Sequence, residues 1–258
     1  MNETPQSALS PMTENRAECD VDRVVAERFF PGVQGGVFVE VGSARPDFLS
    51  ISALYRTMAW RVIAIEPNPD YLPQYKKYGF EVLQYAVGGE DKDDVEFSVV
   101  DSHGSGYEGG NLSFESFSSL GVKDSYGGGH GLDIKPIKVK LRRLDTILRD
   151  HAADVSAIDV VSVDVEGWEL EALSGLDFGR YRPKVLIVEN LFFELRYIAA
   201  MKERGYALWR RLGPNDVYVR RDLIRDGETL ASAIQIAPRY AFGLVRTALR
   251  NLYMRLKK

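Results

Sequence analysis

The sequence lacks several features that would restrict its class. Its 258 residues include one cysteine, Cys19, which excludes an internal disulfide, and no cysteine and histidine spacing resembles a zinc site. No apolar run approaches the ~20 residues that a membrane-spanning helix needs. The stretch from Met1 to Asp20 lacks the apolar segment of a secretory signal. We therefore expect a cytoplasmic protein whose residues 1–20 form a flexible arm.

The sequence also lacks an excess of basic residues. Its formal net charge is −4 and its isoelectric point is about 5.6, so we expect no nucleic-acid partner. Apolar residues make up 45% and charged residues 27% of the chain, which is typical of a globular protein. The length suits one large α/β domain.

Strands and helices alternate along the chain from Gly36. Alternation of this kind predicts a doubly wound, mostly parallel sheet. The final two strands, joined by a turn at residues 213–215, suit a terminal antiparallel pair. The predicted strands are 37–41, 61–65, 80–85, 95–100, 137–141, 159–165, 184–189, 206–211 and 216–220. The predicted helices are 48–59, 70–78, 144–150, a helix that begins at 169, and 192–204.

Residues 101–133 are rich in glycine and serine and interrupt this alternation. Long irregular segments of compact domains are usually lids or binding loops, so we predict a lid or substrate loop with a short helix near 114–120. It contains His103 and His130, either of which could act as a base because histidine titrates near neutral pH. His151 follows a helix, and we expect it at the surface.

The first predicted strand and its turn, VFVEVGS over residues 37–43, indicate a ligand site. Ligands of open parallel sheets bind beyond the carboxyl ends of the strands. Glu40 could there reach the amino acid part of a cofactor, and Gly42 permits a sharp turn and a close backbone approach. The motif is not a complete G-x-G-x-x-G, because Ala44 and Pro46 stand where further glycines would be expected.

The second and third predicted strands end in residues that suit an adenosine. Glu66 can accept hydrogen bonds from both ribose hydroxyls. Tyr85, Ala86 and Val87 could flank an adenine ring. Adenosyl cofactors and nicotinamide dinucleotides both fit this pattern, so an NAD-dependent oxidoreductase remains an alternative, as does a non-catalytic cofactor-binding module.

Four ordered motifs resemble the FkbM family of methyltransferases. They are VFVEVGS, AIEPNP, QYAVGG and SVDVEGWELEALSG, and they run from Val37 to Gly175. The resemblance implies a class I Rossmann-like methyltransferase fold over residues 21–225. It also implies S-adenosylmethionine as cofactor and O-methylation of a sugar or secondary-metabolite hydroxyl. One departure is the run Ser43-Ala44-Arg45-Pro46, where family members often have a small residue, Asn and Gly.

The combined reasoning assigns residues to three roles. The small-molecule or glycosylated acceptor needs a base, for which we predict Asp164, Glu166, Glu189 or His130. Asp164, Glu189 and Asn190 resemble the magnesium ligands of catechol-type O-methyltransferases, and oxygen donors of this kind suit Mg²⁺. Glu166 and Glu169 could instead cap the following helix. The predicted cofactor-binding residues are Glu40, Val41, Gly42, Ser43, Glu66, Pro67, Asn68, Tyr85, Ala86, Val87 and Asp164.

The C-terminal segment 226–258 has a charge pattern of its own. From Pro238 to Lys258 it carries six basic residues and no acidic one. Its apolar residues Phe242, Val245, Leu249, Leu252 and Leu256 recur at helical spacing. This pattern predicts a basic amphipathic helix that packs on the domain or on another subunit of a homo-oligomer. Alternatively, the helix makes peripheral contact with an anionic membrane.

Overall fold

The computed structural model describes residues 17–101, 106–107, 112–113, 120 and 133–256. The strands are β1 (Val37–Val41), β2 (Arg61–Ile65), β3 (Ala86–Val87), β4 (Lys92–Asp101), β5 (Gly106–Tyr107), β6 (Leu112–Ser113), β7 (Asp133–Arg142), β8 (Val160–Val163), β9 (Val185–Glu189), β10 (Tyr206–Leu212) and β11 (Asn215–Arg220). The α-helices are α1 (Val21–Phe29), α2 (Ala53–Thr57), α3 (Leu72–Lys77), α4 (Leu144–His151), α5 (Glu169–Ser174), α6 (Phe178–Tyr181), α7 (Leu195–Glu203) and α8 (Asp226–Leu256). Short 3₁₀ helices cover Glu18–Asp20, Pro69–Tyr71 and Arg221–Leu223.

A six-stranded sheet in the order β10-β11-β9-β8-β1-β2 forms the centre. β2, β1, β8 and β9 are parallel, whereas β11 and β10 close the sheet as an antiparallel pair. The chain runs from β1 outward to β2 on one side and later to β8 on the other. The strand order therefore reverses beside β1, and such a switch point opens a crevice at the carboxyl ends of the strands. The predicted fold class is confirmed.

Alternating side chains of the central strands bury both faces of this sheet. On β1, Val39 and Val41 join one apolar cluster with residues of α4, α5 and α7, whereas Phe38 joins a second cluster with α1 and α2. On β9, Leu186 and Val188 contribute to the first cluster in the same way. Near-continuous apolar strands of this kind are typical of a parallel sheet covered by helices on both faces.

A second sheet, in the order β3-β7-β4, stands beside the first. β4 and β7 are long antiparallel strands, and they extend the strands predicted at 95–100 and 137–141. They carry the ends of the predicted lid, of which β5 and β6 form a short antiparallel pair. The helix predicted near 114–120 lies, except for residue 120, outside the described residues, as do His103 and His130.

Two predicted elements are wrong in extent. The helix predicted over 48–59 is limited to α2, because Ser50 and Ser52 turn toward Glu40 and Leu49 has a φ of +56°. The strand predicted over 80–85 is reduced to one bridge between Ile65 and Leu83. From Leu83 the chain departs toward β3, which pairs with β7 instead.

The first described residues and the helix α8 both contact the domain. Ala17 is buried in the second apolar cluster, so the arm predicted over residues 1–20 is attached to the domain from residue 17. The predicted helical tail is present as α8, which contains Pro238 and contacts β10. Within the described ranges, no helix combines the length and apolarity needed to cross a membrane.

Candidate active site

An open cavity lies beyond the carboxyl ends of β1, β2 and β8. The described residues that line it are Val41, Gly42, Ala44, Glu66, Pro67, Tyr71, Tyr85, Ala86, Val87, Phe97, Leu120, Asp164, Val165 and Trp168. Eight residues predicted to bind a cofactor are among them, namely Val41, Gly42, Glu66, Pro67, Tyr85, Ala86, Val87 and Asp164. The switch point therefore brings most of the predicted set together, and their contact with a cofactor stays a prediction.

Gly42 forms the turn at the end of β1. Its φ is +75°, a left-handed conformation that glycine adopts without penalty. A Cβ at this position would lie 1.7 Å from the carbonyl oxygen of Asp164. Gly42 is thus required because two backbone segments, one after β1 and one after β8, meet here.

Glu66 is held rigidly at the end of β2. It is 5% exposed, and its Oε2 accepts a hydrogen bond from the Ala44 amide at 2.9 Å while Oε1 accepts one from the Asn68 amide at 2.8 Å. Burial raises the pKa of Glu66 to about 7, against the lowering effect of these two hydrogen bonds. Each carboxylate oxygen offers about two lone-pair sites, so both oxygens can accept one further donor from a ligand.

The side chain of Glu40 does not line the cavity. Its carboxylate accepts hydrogen bonds from the Ser52 amide at 3.0 Å and the Ser52 hydroxyl at 2.6 Å, at the beginning of α2. Burial raises the pKa of Glu40, although the Ser52 hydrogen bonds and the charge of Arg56 oppose this. Glu40 therefore holds the turn after β1 against α2, and it is not among the lining residues.

Ser43 and Asn68 also lie behind the cavity wall. The Ser43 Oγ accepts a hydrogen bond from the Tyr75 hydroxyl at 2.8 Å. The Asn68 side chain caps the following 3₁₀ helix by accepting a hydrogen bond from the Asp70 amide at 3.1 Å. Both residues fix the loops that present Gly42 and Glu66, and their predicted direct contact with a cofactor stays a prediction.

Three acidic side chains meet at the ends of β8 and β9. Asp164, Glu166 and Glu189 each offer a carboxylate oxygen within 4.8 Å of the others. Removal from solvent and the charge of Glu169 raise the pKa of Asp164 to about 7, and Glu189 hydrogen-bonds it. Burial and the charge of Asp164 raise the pKa of Glu189 well above its usual range. Like charges this close disfavour joint ionisation, which is why the pKa values of both carboxyl groups lie above their usual range.

The tight turn between β8 and α5 is stabilised by Glu169. Glu166 and Gly167 have φ values of +56° and +96°. The Glu169 Oε1 accepts hydrogen bonds from the Gly167 amide at 2.7 Å and the Val165 amide at 3.3 Å, and Oε2 accepts one from the Tyr197 hydroxyl. Glu169 thus stabilises the turn that precedes α5. These contacts are not a helix cap, because the amides that they satisfy lie before the helix and the N-cap residue Trp168 makes no side-chain capping hydrogen bond.

Asn190 does not join the acidic cluster of the predicted metal site. Its Oδ1 accepts a hydrogen bond from the Glu194 amide at 2.8 Å, and its Nδ2 donates to Asp216 Oδ2 and to the Tyr240 hydroxyl, each at 2.9 Å. Asp216 in turn pairs with the buried Arg211 at 2.8 Å. The structure brings Asp164 and Glu189 together, as predicted, with Glu166 as the third carboxylate.

Sequence reasoning missed six lining residues. They are Ala44, Tyr71, Phe97, Leu120, Val165 and Trp168. Val165 and Trp168 stand within the SVDVEGWELEALSG motif, so their position could have been found. Phe97 comes from β4, and its approach depends on the packing of the second sheet, for which the sequence has no local signal. His151 lies near the surface, with its Nε2 3.1 Å from the Tyr85 hydroxyl.

The doubly wound sheet with a cavity at its switch point defines a protein of the Rossmann-like fold class. The sequence profile of the Methyltransferase FkbM domain matches residues 38–208. Because this match covers more than half of the chain, the protein belongs to the FkbM family of methyltransferases, and the resemblance of the four motifs is confirmed.

The comparisons with solved structures and with curated proteins do not refine the family assignment. A crystal structure of precorrin-6y C5,15-methyltransferase from Geobacter metallireducens GS-15 is similar to this chain at 13% sequence identity and a TM-score of 0.35. The similarity covers 78% of this chain and 85% of that chain. The comparison with curated proteins gave no significant match.

Proposed function

We propose that the protein is an S-adenosylmethionine-dependent O-methyltransferase that acts on a hydroxyl of a small acceptor, such as a sugar or secondary metabolite. The observation that carries the proposal is the position of Glu66 in the cavity of an FkbM-family domain. Its carboxylate is fixed by two backbone amides and can accept donors from a ribose.

The electrostatics of the cavity support a cationic cofactor. Glu66 and Asp164 contribute negative charge, and none of the described lining residues is basic. A sulfonium is stabilised by such a lining, whereas the pyrophosphate of NAD needs a glycine-rich helix start or basic partners. The alternative of a nicotinamide-dependent oxidoreductase is therefore the weaker proposal.

The fit to an adenosyl group is also supported by the apolar lining. Ala86, Val87 and Phe97 offer apolar surface, and Tyr85 adds an aromatic side chain. In our proposal these residues hold the adenine and Glu66 holds the ribose. When bound, S-adenosylmethionine supplies the electrophilic methyl group, so the protein has to orient the acceptor and accept its proton.

Asp164 is the best-placed proton acceptor among the described residues. It lines the cavity, and its pKa of about 7 suits a general base near neutral pH. Glu189 hydrogen-bonds Asp164, and Glu166 offers a third carboxylate oxygen within 4.8 Å of both. His130 remains a second candidate base. We further propose that Asp164, Glu166 and Glu189 could hold a magnesium ion, since carboxylate oxygens suit Mg²⁺.

Calorimetric titrations test the cofactor assignment. Wild-type protein is titrated separately with S-adenosylmethionine and NAD, and we expect binding of the former only. Glu66→Ala should weaken binding by about 100-fold or more, because each hydrogen bond to a charged acceptor contributes about 1.5–3 kcal/mol. The matched control Glu81→Ala removes an exposed carboxylate outside the cavity and should leave the affinity unchanged. Binding of NAD alone would refute the methyltransferase proposal.

Product analysis tests the reaction. The protein, labelled S-adenosylmethionine and a library of hydroxylated acceptors are incubated together, and methyl products are identified by mass spectrometry. Asp164→Asn should lose most of the turnover, and it should also weaken binding of the cationic cofactor because it removes one of the two acidic groups among the described lining residues. The turnover at saturating cofactor therefore separates the two effects. If cofactor binds but no acceptor is methylated, the non-catalytic binding module becomes the better proposal.

A further inference from the structure

The helix α8 is attached to the domain by one of its faces. Ile236 and Tyr240 are buried, and the Tyr240 hydroxyl donates a hydrogen bond to Asp216. Gly243 packs so closely that a Cβ there would lie 2.3 Å from the ring of Phe193. This face therefore fixes the helix on the domain, which determines what the opposite face presents.

The opposite face of α8 is apolar and exposed. Ile234, Phe242 and Val245 are 67%, 71% and 59% exposed, and they are the three most exposed large apolar side chains among the described residues. At roughly 100° per residue they fall within an arc of about 80°, on the side away from Ile236 and Gly243. Exposed apolar side chains grouped in this way indicate an interaction surface.

The sequence continues this stripe toward the C-terminus. Leu249, Leu252 and Leu256 follow Val245 at spacings of four, three and four residues. Helical periodicity places these positions on the same side as Phe242, and the α8 backbone is helical through Leu256. The apolar periodicity of the sequence thus continues to residue 256.

Charge along α8 is opposite in sign to that of the rest of the chain. Residues 238–258 carry six basic and no acidic side chains, whereas residues 1–237 carry 27 basic and 37 acidic ones. Arg239 donates a hydrogen bond to the Arg211 carbonyl at 2.8 Å, whereas Arg246 and Arg250 follow in the sequence at a spacing of four, which is typical of neighbouring positions on a helix. A partner of this surface therefore has to offer both apolar contact and negative charge.

We propose that α8 is a docking helix for an anionic lipid surface. A membrane interface accepts the apolar stripe at its acyl boundary and the basic residues at its headgroups. Pairing of two copies through this helix would bring together two segments, each with six basic residues and no acidic residue between 238 and 258, which is unfavourable. The acidic remainder of the chain is repelled by an anionic surface, so attachment is confined to the helix.

Vesicle flotation of the full chain tests the proposal. Vesicles of three parts phosphatidylcholine to one part phosphatidylglycerol are compared with vesicles of phosphatidylcholine alone. We expect binding to the anionic vesicles and its loss when salt rises from about 0.1 M to about 1 M, which shortens the Debye length to about 3 Å. F242S/V245S should lower the partition coefficient at least about tenfold, and R246Q/R250Q should lower it about 30-fold.

Matched controls separate docking from general effects. L195S changes another exposed apolar side chain, and K202Q/R221Q removes two exposed charges outside α8. Both should bind like the wild type. Because Phe242 and Val245 are exposed, F242S/V245S should keep the wild-type melting temperature, which shows an intact fold. Equal binding to neutral and anionic vesicles would overturn the proposal. The proposal would also be overturned if the wild type did not bind vesicles and formed a dimer that F242S/V245S dissociates. The partner of α8 would then be a second copy of the chain.

Discussion

The affinity for an adenosine ligand should depend on pH through Glu66. Ribose hydroxyls donate hydrogen bonds to a carboxylate, so they favour its ionised form. The pKa of Glu66 is about 7 without ligand, and binding has to shift the group to its charged state. The affinity should therefore be highest above pH 7 and fall as the pH decreases through this value.

The size of the effect follows from the ionised fraction. With a pKa of about 7, roughly nine-tenths of Glu66 is ionised at about pH 8 and roughly 3% at about pH 5.5. If only the ionised form binds, the dissociation constant rises about 30-fold between these values, which corresponds to about 2 kcal/mol.

The assay has to isolate Glu66 from two other titrating groups. 5′-Methylthioadenosine is the probe because it lacks the amino acid of S-adenosylmethionine, whose amino group titrates. The Asp164→Asn background removes the neighbouring group with a pKa of about 7. Dissociation constants are then measured by calorimetry between pH 5.5 and 8. Glu66→Gln should bind the probe weakly and independently of pH. The exposed control Glu81→Gln should keep the pH dependence of binding seen with Glu66 intact. A flat profile with Glu66 intact would refute the reasoning.

Glu66 should also make the stability of the fold depend on pH, and stability should fall with rising pH whereas the ligand affinity rises. The pKa of Glu66 rises from an ordinary 4.5 to about 7 on folding, so its contribution to stability is complete below pH 4.5 and lost as the pH rises through 7. This shift corresponds to about 3 kcal/mol. In denaturant titrations without ligand, the stability of Glu66→Gln relative to wild type should increase by about this amount between pH 4 and 8. A constant difference would show that folding leaves the Glu66 pKa unchanged.

Two further predictions concern the packing around the site. Gly42→Ala should lower the free energy of unfolding by more than about 3 kcal/mol, because its Cβ would meet the Asp164 carbonyl at 1.7 Å. The control Gly79→Ala changes a glycine that also has a positive φ, +69°, but has no atom beyond its chain neighbours within 4 Å of the position that a Cβ would take, so it should lower the free energy of unfolding by only about 1–2 kcal/mol. Both variants are compared by thermal melting, and equal losses would contradict the argument that crowding makes Gly42 necessary. Asp216→Ala should cost about 3–5 kcal/mol, because it leaves a buried guanidinium unpaired. The surface control Asp150→Ala should cost less than about 1 kcal/mol, and a similar loss in both variants would refute this assignment.

The sequence by itself determined the fold class and much of the site. Apolar runs alternating with helices specify a doubly wound sheet because each strand has to be covered on both faces. Strand-end residues such as Gly42, Glu66 and Asp164 could be predicted because parallel strands bring their carboxyl ends to one edge. The four ordered motifs then identified the family.

Only the tertiary structure decided which polar groups face the cavity. Glu40 and Glu66 both belong to the ends of adjacent strands, yet Ser52 draws Glu40 toward α2 while Ala44 and Asn68 hold Glu66 at the lining. A strand pattern fixes the face of a side chain but not the partners that compete for it. Those partners come from loops distant in sequence, so their choice depends on packing and not on any local signal.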